Sequence, residues 1–148
     1  MGAYVKIAEG SGAGLTFTSI PATYTDLRLV IVGNANFEIQ FNGSTGTVYS
    51  QTFVEGNGTA ISSNRFTNSN RIYLYNNVAS TVSLATVDIF SYAGSSNKSC
   101  LIEFSNDANG SGYVYRSIGL WRNTAAITSI AILNSVPTTA TLYGIKES

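Results

Sequence analysis

An all-β, antiparallel two-sheet sandwich is the fold this sequence predicts, and three observations predict it. Apolar and polar residues alternate with period two in short runs; Asn, Gly and Ser clusters separate the runs; and the runs recur at spacings of roughly 8–15 residues, as in sandwiches and barrels. The 3.6-residue period of a long amphipathic helix is absent, and at most a short helical turn is expected near Arg122 to Ala126. A two-layer, jelly-roll-like sandwich of roughly 8–10 strands is expected in preference to a closed barrel. The 148 residues carry no linker and no shift in composition, so residues 1–148 are expected to form a single domain.

Each run has its own signal. Leu27, Leu29 and Ile31 alternate with Arg28, Val30 and Val32, a strand apolar on both faces. Phe37, Ile39 and Phe41 alternate with Glu38, Gln40 and Asn42, and Asn42-Gly43 then supplies the positive φ of a tight turn. Val48 to Val54 resumes in β-favouring residues, whereas Glu55 to Asn70 is polar and reads as a long loop. Ile72 to Tyr75 is a strand, ended by Asn76-Asn77, two residues that tolerate the left-handed region. In Thr81 to Tyr92, Val82 and Leu84 hold one parity and Val87 and Ile89 the other, which predicts a bulge or burial of both faces. Cys100, Ile102 and Phe104 share a face, and Asn106 to Gly112 is a turn. Tyr113 to Leu120, Ile127 to Leu133 and Thr139 to Ile145 complete the set. Pro21 ends a strand at Ile20 by removing a ladder donor, Asp26 can accept backbone amides, and Gly144 leaves room for a ring or another backbone.

Charge is scarce. Charged residues make up 11% of the chain, against roughly 25% in an ordinary soluble domain. Eight basic and eight acidic residues cancel, so no field draws in nucleic acid or an anionic membrane. Ser, Thr, Asn and Gly replace the missing charges, and such short side chains lose little entropy when another protein covers them. The single cysteine, Cys100, cannot form an internal disulfide. No basic segment leads into an apolar one at the N-terminus, so no signal peptide is expected, and no apolar run reaches membrane-spanning length. The Asn-x-Ser/Thr triplets at Asn42, Asn57, Asn97 and Asn109 then read as turns.

The catalytic vocabulary is thin. The chain has no histidine, which excludes Ser-His-Asp and Cys-His catalysis and zinc sites built from cysteine and histidine. No P-loop occurs, and Gly10-Ser11-Gly12-Ala13-Gly14 precedes a strand rather than the helix a phosphate needs. Glu103 and Asp107 are the nearest candidates for a glycosidase acid pair, but a solvated strand face and an ordered turn account for them better. Asp26, Asp88 and Glu55 are oxygen donors without an Asp-x-Asp-x-Asp-Gly calcium loop. No enzyme, cofactor or metal is therefore expected. The aromatics are the informative group. Tyr73, Tyr75, Tyr113, Tyr115 and Trp121 are the candidate contact residues, with three readings open: cross-strand packing, burial in a subunit contact, or stacking on a sugar.

Several runs together resemble a family of small virion structural domains of tailed bacteriophages. They are Phe17 to Leu27, Ile39-Gln40-Phe41-Asn42-Gly43 followed by Tyr49, Asp88 to Tyr92, Gly119-Leu120-Trp121 with Ala126 to Ile130, and Leu142-Tyr143-Gly144-Ile145. The resemblance implies a jelly-roll-like sandwich in the virion, made in the host cytoplasm. Its expected role is capsid decoration (a cement protein), as a homotrimer seated on the major capsid protein or other virion proteins. The alternative is a tail or collar fibre module binding host glycan. The short stretch before Phe17 favours a self-contained unit over a fibre shaft.

Overall fold

The computed structural model describes residues 3–75 and 81–146. Among them lie twelve strands: β1 (Ala3–Gly12), β2 (Thr16–Phe17), β3 (Asp26–Gly33), β4 (Phe37–Phe41), β5 (Tyr49–Gly56), β6 (Ile61–Ser69), β7 (Ile72–Tyr75), β8 (Ser83–Phe90), β9 (Lys98–Asn106), β10 (Tyr113–Trp121), β11 (Ile130–Leu133) and β12 (Thr138–Lys146). They form two sheets, ordered β1-β12-β3-β8-β9-β10-β5-β6 and β2-β11-β4-β7. Every pairing is antiparallel. The expected two-sheet sandwich is thus present, with one sheet twice as wide as the other.

Period-two alternation builds the core. Leu27, Leu29 and Ile31 of β3, Val87 and Ile89 of β8, and Ile102 of β9 turn inward from the wide sheet. Phe37, Ile39 and Phe41 of β4, Ile72 and Leu74 of β7, and Ile130 and Ile132 of β11 meet them from the narrow one. Each such aliphatic or aromatic side chain stabilises the fold by about 1.5–3 kcal/mol through burial. Gly119 permits the close approach of the two layers: a Cβ there would lie 2.8 Å from Cys100 Sγ and 3.1 Å from Ile72 Cδ1.

Side chains pin the loops at one end. Asn42 and Gly43 both take positive φ, 51° and 64°, and Ser44 N donates to Phe41 O at 2.9 Å, the tight turn the sequence predicts. The Asn42 side chain does more: Nδ2 donates to Ala126 O, and Oδ1 accepts from the amides of Thr128 and Ser129. Tyr49 Oη accepts from Phe41 N at 3.0 Å beneath the same turn. Asp26 Oδ1 accepts from Ser91 N at 2.7 Å, Tyr92 Oη donates to Pro21 O, and Lys98 Nζ, buried, donates to the carbonyls of Gly94, Ser96 and Thr124. Burial pushes the Lys98 ammonium below its ordinary pKa.

Two expectations are corrected. Residues 55–70 are not a loop but a hairpin, in which Ala60 O accepts from Asn57 N at 3.2 Å and β6 pairs with β5 from Gly56↔Ile61 onward. The hydrophobic pattern misses β6 because most of the strand is exposed, so neither parity needs to be apolar. Second, β8 pairs with both neighbours without a shift in register. Val82 and Leu84 switch parity because they point out to solvent, and neither a bulge nor double burial is involved. The N-terminal stretch forms β1 as far as Gly12, and 122–126 contains no helix. The Asn76-Asn77 turn lies outside the described residues.

Gly144 bears out the close approach read from the sequence. A Cβ there would meet the Tyr24 ring at 2.3–2.5 Å. Gly144→Ala is therefore expected to cost about 1–3 kcal/mol by overpacking. Thermal unfolding should show the lowered midpoint, and Tyr24→Leu in the same chain should recover part of it.

Alkaline stability follows from two inward-facing groups on the wide sheet. Burial pushes the Cys100 thiol from 9.0 up to about 12 and the Tyr115 phenol from 10.0 up to about 12. Both native values exceed the unfolded ones, so this stability is complete below the unfolded values and is lost as pH rises towards 12. The unfolding midpoint should fall between pH 9 and 12, with tyrosinate absorbance rising together with unfolding. Cys100→Ala should flatten the slope over the same window, and thiol reagents should label native Cys100 only as fast as the chain unfolds.

Candidate functional site

One face of the wide sheet has no layer over it. Its side chains follow the register in lateral rows. One row runs Val32, Leu84, Ser105, Val114, Gly56 and Ile61; the next runs Val30, Thr86, Glu103, Arg116, Val54 and Ser63. A third carries Arg28, Asp88, Leu101, Ile118, Thr52 and Arg65. Ile61 is 82% exposed, Val114 67% and Ile118 58%, with Val32, Val54, Leu84 and Phe90 also exposed. Single exposed apolar residues are ordinary; here a set of them is spread over β3, β8, β10, β5 and β6 on one face.

The charges on this face neutralise one another across neighbouring strands. Arg28 grips Asp88 bidentately, Nε to Oδ1 at 2.5 Å and Nη2 to Oδ2 at 2.6 Å. That pairing raises the Arg28 pKa, and the guanidinium also lies 5.3 Å from the Tyr4 ring. Arg116 reaches Glu103 at 3.3 Å. Arg28 and Arg116 are therefore neutralised at short range, whereas Arg65, at the β6 edge, lies across from Thr52. Two shallow depressions mark it: one of about 340 Å³ beside Leu84, Glu103, Val114 and Arg116, and one of about 420 Å³ beside Thr52, Arg65, Ile118 and Leu120.

The aromatic candidates do not gather there. Tyr115 and Trp121 face inward and are 3% and 1% exposed, so their expected contact with a partner or a sugar is corrected to core packing. Trp121 lies 5.5 Å from Phe41 and stacks on Tyr49 at 6.3 Å. Tyr115 and Trp121 sit at opposite ends of β10, roughly 20 Å apart at the rise of a strand. Tyr73 is half-buried in a ring cluster, 4.8 Å from Phe66, which stacks on Phe53 at 5.5 Å; Phe53 in turn meets Tyr115 at 5.0 Å. Tyr113 is half-buried on the inward face of β10. The backbone of Tyr75 pairs with Phe37, and its side chain lies outside the described residues.

Gln51 joins two of these tyrosines, a link the sequence does not announce. Its amide mimics a strand: Nε2 donates to Tyr73 O at 2.9 Å and Oε1 accepts from Tyr73 N at 2.8 Å. The same Nε2 lies 2.7 Å from Tyr115 Oη and 3.2 Å from Ser117 Oγ. This arrangement closes the free edge of β7 and holds the narrow sheet to the wide one.

The acids are dispersed. Glu103 belongs to the ion pair on the open face, and Asp107 accepts from Gly110 N at the turn Ala108–Gly110. Glu55 accepts from Ser62 Oγ at 2.9 Å. Among the described residues no group of three or more His, Cys, Asp or Glu could hold a metal ion, and no helix is long and apolar enough to cross a membrane. The sequence missed the open face as a unit, although its signal was present: the second apolar parity of Val30 and Val32, of Val82 and Leu84, and of Val114 and Ile118. No protein-family model, curated protein or solved structure matches the chain.

Proposed function

We propose that this chain is a non-catalytic structural module of a larger assembly, and that it seats on a partner protein through the open face of its wide sheet. The observation that carries this reading is the combination on that face of exposed Leu84, Val114 and Ile118 with the paired charges Arg28–Asp88 and Arg116–Glu103. A partner that covers this part of the face gains apolar burial over charges that already have partners. The short Ser, Thr and Asn side chains around it add little ordering cost.

The specific form we propose is the one the family resemblance implies, a capsid decoration protein binding the assembled lattice. Its mechanism is mass action: a ligand that binds the closed lattice and not its separated subunits stabilises the lattice by RT ln(1 + [L]/Kd). The test is co-sedimentation with empty capsids assembled from the major capsid protein of the virion it is proposed to decorate. Binding is expected for the native chain, with loss on the double substitution Leu84→Glu and Val114→Glu, which buries a charge in the seat but leaves the core untouched. Absence of co-sedimentation at saturating concentration would reject the decoration role, and retained binding by the folded double variant would reject this face.

A further inference from the structure

A sheet edge is a row of backbone donors and acceptors that must be paired, blocked or kept short. In this fold three of the four edges are dealt with. β2 is two residues long. β7 is closed at Tyr73 by the Gln51 amide. β1 carries a register shift between Lys6 and Ala8 and an exposed Lys6–Glu9 ion pair at 3.0 Å. The fourth, β6, has nine residues, most of them exposed, with no proline, Arg65 as its one charge, and a register shift that comes only after Phe66 and leaves 61–66 regular.

Which groups β6 presents follows from its pairing. In an antiparallel ladder alternate residues bond to the partner strand, and those between point away. Asn57 N bonds Ala60 O at the turn, so the inward-bonding positions run 60, 62, 64 and 66. Arg65 supports the same phase, because its amide donates to Asn64 Oδ1 at 2.8 Å instead of to β5. The amides and carbonyls of Ile61 and Ser63 therefore point outward, as does the Arg65 carbonyl.

We propose that β6 pairs antiparallel with β6 of a second copy, about a two-fold axis at Ser63. The two Ser63 residues exchange both their backbone bonds, and each Ile61 amide meets the Arg65 carbonyl of the other copy. This register sets Arg65 beside Ile61 of the second copy rather than beside its own equivalent. The arginine stem covers the side chain that stands 82% exposed in one chain. A second copy is the occupant this edge fits, because one register sets each Arg65 beside the other copy's exposed Ile61 and keeps the two guanidiniums apart. The guarded edge of β1 disfavours the head-to-tail β6–β1 contact that would close a ring, so the pairing yields two copies in place of the three the resemblance implies. The pairing stands independently of the proposed capsid seat and extends the open face across both copies.

Light scattering on the purified chain should give the mass of two copies. Ser63→Pro removes an outward amide and no bond to β5, so it should yield a monomer with unchanged circular dichroism and thermal midpoint. Ser63→Cys supplies a positive reading that does not depend on the proline variant folding. Oxidation should link two copies through that position, with Cys100 buried and unreactive. A monomeric or three-copy native chain, a folded Ser63→Pro variant that remains paired, or a Ser63→Cys chain that does not cross-link would each overturn the pairing. None of these results bears on co-sedimentation with capsids.

Discussion

A four-stranded sheet cannot cover an eight-stranded one, and most features of this fold follow from that mismatch. Where the two layers overlap, the inward residues are Leu, Ile, Val and Phe with almost no exposure. Towards the rim the wide sheet turns inward residues that are buried but polar: Gln51, Ser83, Lys98, Asn106, Ser117 and Thr138. Hydrogen bonds hold several of these. Asn106 accepts from Tyr113 N at 2.9 Å and lies 3.4 Å from Ser83 Oγ, while Lys98 is held by three carbonyls. A buried polar group without a partner costs about 1–3 kcal/mol, so these contacts are what allow the sandwich to end without a longer second layer.

The same mismatch explains Gln51. β7 lies at the margin of the narrow sheet with no further strand to pair it, and a bare edge there would leave a peptide unit partly buried and unbonded. The side-chain amide of Gln51 has the donor and acceptor of a peptide group, so one glutamine substitutes for one residue of a missing strand. Tyr115 and Ser117 hold that amide in place. Beyond it Phe53, Phe66 and Tyr73 shelter one another by ring contact in the absence of a covering layer.

The parts legible in the sequence were those in which burial writes a pattern. β3, β9, β10 and β12 bury one parity each, and Leu27-Leu29-Ile31 or Cys100-Ile102-Phe104 display that alternation along the chain itself. The Asn42-Gly43 turn and the ring against Gly144 were legible because each rests on a backbone property of particular residues. β6 was not legible, since a mostly exposed edge strand has no buried parity to reveal it. Trp121 and Tyr115 were misplaced for a different reason: tyrosine and tryptophan suit cores and contacts equally, and only the register decides between them. The hub role of Asn42 and the strand mimicry of Gln51 depend on partners far along the chain, at Ala126, Thr128 and Tyr73, which no local pattern encodes.

The two halves of the wide sheet differ in how they meet solvent. At the β1 end the exposed surface carries Lys6, Glu9, Arg28, Asp88 and Lys146, and the edge is interrupted and charged. This is how a sheet ends when it must remain in water. From β10 to β6 the surface carries Val114, Ile118, Val54 and Ile61, with Arg65 and Arg116 as its basic residues, and the edge is long and unbroken as far as the bulge that follows Phe66. Exposed apolar area and an open edge are separate liabilities, and natural sheets suppress each by different substitutions. Both coincide at the β6 end of this sheet; towards β1 apolar side chains are exposed as well, among them Tyr4, Val32, Leu84 and Phe90, but the edge there is guarded. The proposed contacts require that coincidence: the open face would seat on a partner and the β6 edge would meet a second copy, whereas the guarded β1 edge takes part in neither.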